Sequence, residues 1–275
     1  MMRLQGVSDL WSDARVVIGM VHLGPLLGAP GWGGSMASVL DRACNDAQKL
    51  SLAGFDALVV ENYSDSPFLR GPLPAETIAS LCAAVSALGA AVKIPVGVNA
   101  LRNDARAALG IAVATGAAFI RVNVHTGSMW TDQGLVEEAA GETLRIRAAL
   151  DADVAILADV QVKHATPPVG ASLAEASSDA WERGLADGLI VSGRGTGQTT
   201  DHTHLNEVHQ TVPAAPLFAG SGVTADNVGR TLEVATGVIV GSSIMCDGMA
   251  GHGVDTERAS AFMRAVRGCG LPQFS

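Results

Sequence analysis

The chain has 275 residues, with no charge block, low-complexity tract or Ser/Pro-rich linker, which suits one large domain or two small ones. Hydrophobic residues make up 48%, enough for a sizeable core, but only 4% are aromatic, so packing must rely on small and branched side chains. A formal charge of −9 repels phosphate backbones and anionic headgroups, which argues against nucleic acid or membrane as partners.

The N-terminal stretch MMRLQGVSDLWSDAR lacks an apolar h-region and reads as an extension over residues 1–15, not a secretory signal. Candidate strands then follow in order: VVIGMVH (16–22), DALVVEN (56–62), IPVGVNA (94–100) and AFIRVNVH (118–125). VAILADV (154–160), DGLIVSG (187–193), APLFAG (215–220) and TGVIVG (236–241) bring the set to eight. Apolar-periodic stretches of helical length lie between them, among them MASVLDRACNDAQKLSLAG, RNDARAALGIAVATG and VDTERASAFMRAVRG. Strict strand–helix alternation gives parallel strands with right-handed crossovers. Eight units in roughly 250 residues predict a (β/α)8 TIM barrel over residues 16–270, with a short tail over 271–275. An open doubly wound sheet is the runner-up, without a GxGxxG after the first strand to support it.

Several helix-to-strand junctions (AGFDA, TGAAF, RGLADG and ATGV) place glycine where a left-handed residue ends a helix cheaply. The most membrane-like run, 81–98, is broken by Lys93 and Pro95 and reads as helix then strand, so no direct membrane insertion is expected. Cys44, Cys82, Cys246 and Cys269 show no metal-ligand spacing and read as cytosolic thiols; the expected compartment is cytoplasmic.

Barrels of this kind assemble their active sites at the C-terminal ends of the strands, and the polar residues here concentrate there. His22 ends strand one, Glu61 and Asn62 strand two, and Asn99 strand three. Arg121, Asn123 and His125 come two apart on strand four, as do Asp159, Gln161 and Lys163 on strand five, with His164 next. Strand six runs through Ser192 into SGRGTGQTTD. After strands seven and eight, Gly220, Ser221 and Gly222, then Gly241, Ser242 and Ser243, form a candidate phosphate cradle, with Thr224 placed to N-cap the next helix.

The inventory favours proton or carbon–carbon chemistry on a phosphorylated small molecule. Glu61 and Asp159 are the candidate base and acid, Lys163 a stabiliser of enolate or phosphate charge or a Schiff-base amine, and His22, His125 and His164 proton shuttles. Asn99, Arg121, Asn123, His125 and Ser192 are assigned to substrate binding. An internal Lys163–Asp159 ion pair is the structural alternative. No cofactor is called for; a divalent metal is compatible with the residue types but not required. His202, His204 and His209 read as exposed residues of a helix N-capped by Asp201. Residues 126–138 read as a long loop, either a lid or a packed surface segment. Apolar outer helices suggest a homo-oligomer.

Taken together, VIGMVHLGPLLGAPGW, VVENYSDSPF, VGVNALRND, FIRVNVHTGSMWTDQG, ADVQVKHA, IVSGRGTGQTTD and GSGVTADN resemble the BtpA/SgcQ family over residues 16–262. The resemblance implies a TIM barrel of poorly established activity, one branch associated with photosystem I biogenesis and another with sugar-metabolism genes. The expected function is isomerase, epimerase or aldolase-type lyase on a phosphorylated sugar or ribosyl metabolite. The alternatives are a glycosidic-bond hydrolase and a non-enzymatic assembly factor for a photosynthetic membrane complex.

Overall fold

A computed structural model describes residues 15–193 and 195–270. The expected extension (apart from Arg15), the C-terminal tail and Arg194 lie outside the described residues. Eight parallel strands close a barrel: β1 (Val16–His22), β2 (Ala57–Glu61), β3 (Val96–Asn99), β4 (Phe119–Val122), β7 (Ala155–Val160), β9 (Gly188–Val191), β10 (Leu217–Ala219) and β11 (Gly237–Val240). Closure between β1 and β11 rules out the open sheet. Helices α1 (Met36–Ala53), α2 (Ala75–Ala91), α3 (Ala105–Thr115), α4 (Ala140–Ala149), α5 (Leu173–Ser178), α6 (His202–Thr211), α7 (Val228–Leu232) and α8 (Thr256–Gly268) fill the crossovers and the outer layer.

Local chemistry explains the boundaries. Ser35, Asp104, Ser172, Asp201 and Asp255 each accept an N–H from the first turn of the following helix. Gly54 and Gly116 end α1 and α3 in the left-handed conformation, as their junctions predict. The other two junctions work differently. Leu185 carries the positive φ that Gly184 was expected to supply, and Gly237 is the first residue of β11. Both glycines are there for space: a Cβ at Gly184 would lie 2.7 Å from Thr126 Cγ2, and one at Gly237 2.6 Å from the Val16 carbonyl. Thr224 does not cap α7; Asn227 holds that position, and its side chain accepts the Thr224 N–H instead.

The strands point alternate residues inward and outward. Outward residues such as Val17, Leu58, Val98, Ile120, Ile156 and Leu189 join the helices in the main core. Inward residues Met20, Val59, Phe119, Leu157, Ile190, Phe218 and Ile239 seal the barrel interior. Two phenylalanines fill most of that space because glycine faces them: a Cβ at Gly97 would lie 2.2 Å from the Phe119 ring.

The segment 126–138 is not a loop. β5 (Ser128–Thr131) and β6 (Gly134–Glu137) form an antiparallel hairpin, and β8 (Ala165–Thr166), just after Lys163 and His164, pairs with β5. This small sheet stands at the mouth beside strands β4 and β7. Its short strands carry too few alternations to be recognised by period. No helix among the described residues is long and apolar enough to cross a membrane.

Candidate active site

One step along each strand from the apolar layer, the same inward parity changes from apolar to polar. His22 follows Met20, Glu61 follows Val59, Asn99 follows Gly97, Arg121 follows Phe119, Asp159 follows Leu157, and Ser192 follows Ile190. His22, Glu61 and Asn99 are register partners across three neighbouring strands, so they form a row. Asn99 Nδ2 donates to Glu61 Oε2 at 2.6 Å, which leaves Oε1 3.9 Å from His22 Nε2. The Gly251 amide donates to His22 Nδ1 at 3.1 Å, so the imidazole proton sits on Nε2 and faces Glu61. Tyr63 stacks on the His22 ring with centroids 4.2 Å apart. Burial pushes the His22 pKa down to about 4, against the opposing pull of Glu61, and keeps the ring neutral near pH 7.

On the other side of the mouth, Arg121 grips Asp159 with two 2.8 Å bonds from Nε and Nη2. Asn123 Nδ2 adds a third donor at 2.9 Å and Ser192 Oγ a longer one at 3.3 Å. With every convenient lone pair taken, Asp159 is a strut for Arg121 and not a free base. Gly220 makes the close approach possible: a Cβ there would lie 2.6 Å from Ser192 Oγ.

Lys163 reaches the mouth by a route its spacing did not predict. β7 stops at Val160, and Gln161 and His164 take positive φ, so 159, 161 and 163 do not share a strand face. Lys163 nevertheless lies among the charges of Arg121, Glu61, Asp159 and Arg102, and burial, then Arg121, pushes its pKa down. The internal Lys163–Asp159 ion pair does not form, because Arg121 occupies the carboxylate; among the described residues no carboxylate lies within 4.0 Å of Lys163. The exposed His164 is tied to the loop after β9: its Nε2 accepts the Thr196 N–H at 3.1 Å and lies 2.9 Å from Thr196 Oγ1.

His125 does not join the mouth. β4 ends at Val122, and the fully buried His125 ring instead places Nε2 2.8 Å from the Gly184 carbonyl, behind the barrel wall. Asn62 is likewise diverted, bonding Leu101 and Asp65 to clamp neighbouring loops. The expected phosphate cradle is only partly open. Ser221 Oγ accepts from the Gly193 amide and donates to the Gln198 carbonyl, and Ser243 Oγ donates to the Val223 carbonyl. The chain at Gln198–Thr199 covers Gly222, whose Cβ would lie 2.3 Å away. Ser242 faces Gly197, and Gly241 lies against Met20 and His22. The backbone N–H groups of Gly222, Val223, Ser242 and Ser243 donate to no acceptor among the described residues. Those amides, unlike the Ser221 and Ser243 hydroxyls, are left without a partner among the described residues.

Two contributors escaped the sequence reading. Tyr63 lies just past strand two, where strand parity does not single it out. Arg102 follows strand three in ALRND; it is 6% exposed and donates from Nη2 to the Lys163 carbonyl at 2.9 Å. A cation so soon after a barrel strand was the available signal. Among the described residues, no three His, Cys, Asp or Glu side chains are grouped to hold a metal ion.

Residues 13–268 match the BtpA family. The chain belongs to the BtpA family. Within it, the chain is 46% identical to the photosystem I biogenesis protein BtpA of Synechocystis sp., covering 91% of this chain and 87% of that protein. It is 32% identical to the putative sgc region protein SgcQ of Escherichia coli, over 94% and 97% of the two chains. Among solved structures, tryptophan synthase of Mycobacterium tuberculosis shares the fold at a TM-score of 0.62 and 19% identity, covering 96% of this chain and 98% of that one. This BtpA-family chain is therefore a TIM barrel.

Proposed function

We propose that the protein is an aldolase-type lyase acting on a phosphorylated sugar-like carbonyl compound, with Lys163 as the amine nucleophile. The observation that carries this reading is the half-buried Lys163 amine at the barrel mouth, beside Arg121 and Arg102 and, among the described residues, without a carboxylate within 4.0 Å. Desolvation and neighbouring guanidinium groups are the two conditions that free a lysine to attack a carbonyl near neutral pH.

In this scheme Lys163 Nζ adds to the substrate carbonyl, and loss of water gives an iminium. The carbon–carbon bond then breaks toward the iminium, leaving an enamine on Lys163. Glu61 Oε1 takes the proton of the departing hydroxyl, while the neutral His22 Nε2–H, 3.9 Å away, keeps the carboxylate ionised and ready to accept it. Protonation of the enamine carbon and addition of water release the second product. The amides after β10 and β11 hold the phosphate. His164 acts indirectly, by fixing Thr196 over the mouth.

Isomerisation or epimerisation by Glu61 alone would leave the half-buried amine without a role. A two-carboxylate glycosidic hydrolase is disfavoured because both Asp159 oxygens are held by Arg121. The assembly role suggested by the name of the Synechocystis relative does not need the half-buried amine. Trapping decides between these readings. Phosphorylated aldoses and ketoses incubated with the protein and sodium borohydride should leave a mass adduct on Lys163. Lys163→Met should abolish the adduct without lowering the melting temperature. If carbonyl compounds that raise the melting temperature leave no adduct, the amine mechanism is wrong.

A further inference from the structure

Arg102 is a buried cation at the mouth without a carboxylate partner among the described residues. Its side chain comes from the loop between β3 and α3, is 6% exposed, and makes no ion pair among the described residues. Its bond to the Lys163 carbonyl is to a neutral oxygen. The carboxylates whose fields reach it are Asp159, Glu61 and Asp132. Asp159 is gripped by Arg121, Glu61 is bonded to Asn99, and Asp132 is exposed at the hairpin tip, where water screens it. Lys163 beside it likewise has no carboxylate within 4.0 Å among the described residues. A guanidinium withdrawn from water without a counter-charge is costly unless an anion arrives to pair with it.

We propose that Arg102 forms a carboxylate-binding site beside Lys163, so that the substrate is a phosphorylated sugar acid and not a neutral sugar phosphate. The two cations flank β4, bridged by the Arg102–Lys163 carbonyl bond. In the barrel order, β4 stands across the mouth from β10 and β11, whose following turns present the free amides of Gly222, Val223, Ser242 and Ser243. A ligand spanning the mouth meets donors for an anion at both ends. Arg102 supplies a planar fork that matches a carboxylate, whereas the backbone amides suit a phosphate. This inference rests on the reading above for the phosphate end alone; it does not require the lysine to react.

The test uses acids that cannot form an iminium, so its outcome is separate from borohydride trapping. Acetate and malonate, compared with chloride at equal ionic strength, should raise the melting temperature of the full chain. Arg102→Met should abolish that rise and Arg102→Lys should keep part of it. 6-Phosphogluconate should bind at least tenfold more tightly than glucose 6-phosphate by calorimetry, and Arg102→Met should remove the preference. In the absence of ligand, Arg102→Met should melt no lower than the wild type, because it removes an uncompensated charge; a purely structural strut would melt lower. If Arg102→Met fails to fold, the wild-type comparison of the two phosphates decides. Equal affinities, or a preference that survives in Arg102→Met, would overturn the proposal.

Discussion

The barrel interior has two layers built on the same strand positions, and they are held together by different physics. In the lower layer Met20, Val59, Phe119, Leu157, Ile190, Phe218 and Ile239 exclude water, with Gly97 and Gly237 making room for the phenylalanine rings. In the upper layer, on the same inward parity, His22, Glu61, Asn99, Arg121 and Asp159 are almost as buried. Burial stabilises the first layer directly and penalises the second, which persists because each member has a hydrogen-bond partner, the Gly251 amide in the case of His22. The strand scaffold carries paired polar groups, while the loops deliver Arg102 and Lys163, which have no carboxylate partner among the described residues. Binding capacity then resides in the loop residues and rigidity in the strand residues.

The largest expected effect tests the upper layer. Asp159→Ala would leave Arg121, itself 2% exposed, buried without its counter-charge, and should cost about 3–5 kcal/mol in denaturant unfolding. A loss below about 1 kcal/mol would mean that Arg121 finds water, and the distinction between paired and unpaired cations would fail.

Next comes pH, which sets the top of the barrel against the bottom. His22 is neutral in the folded state down to about pH 4, whereas the unfolded chain takes up the proton near pH 6.5. Its contribution is therefore present above pH 6.5 and is lost as pH falls toward 4, by roughly 3 kcal/mol. Asp56, at the other end of the barrel, has its pKa raised to about 6 by burial. The folded state holds that proton longer than the unfolded chain does, so its contribution is present at low pH and is lost as pH rises from 3.8 to about 6. The two oppose each other over the same range. His22→Gln should flatten the acid-side loss of stability, and Asp56→Asn should steepen it. If neither variant changes the slope between pH 4 and 6.5, the two groups are not coupled to folding in this way.

The smallest of the three tests the lower layer. Gly97→Ala pushes a methyl against Phe119 and should cost about 1–3 kcal/mol through overpacking. It should leave the binding of acids at the mouth unchanged. A selective loss of binding would show that the two layers are not separable.

Legibility in the sequence followed the same division. The β-branched runs and their turns gave all eight barrel strands, because period-two patterning and Gly or Asp punctuation are local signals. His22, Glu61, Asn99, Arg121 and Asp159 could be placed at the mouth by parity alone, since each lies within or at the end of a regular strand. Parity misled where regular structure stopped. His125 lies three residues past β4 and turns outward, and Lys163 comes back to the mouth only through the left-handed turn at Gln161. The hairpin of β5 and β6 was hidden because four-residue strands carry little pattern.

By itself, then, the sequence determined the barrel, its helical outer layer and the ring of polar side chains where the strands end. Alternation along a strand is a local geometric rule, so it survives without knowledge of what the strand packs against. Only the tertiary structure decided which of those polar groups are already satisfied. Partnering depends on distances across strands and loops: Arg121 reaches Asp159 38 residues away, and Arg102 reaches the Lys163 carbonyl 61 residues away. Charge compensation is a property of that assembled neighbourhood, which is why Arg102 became visible as a binding group only once the mouth was closed around it.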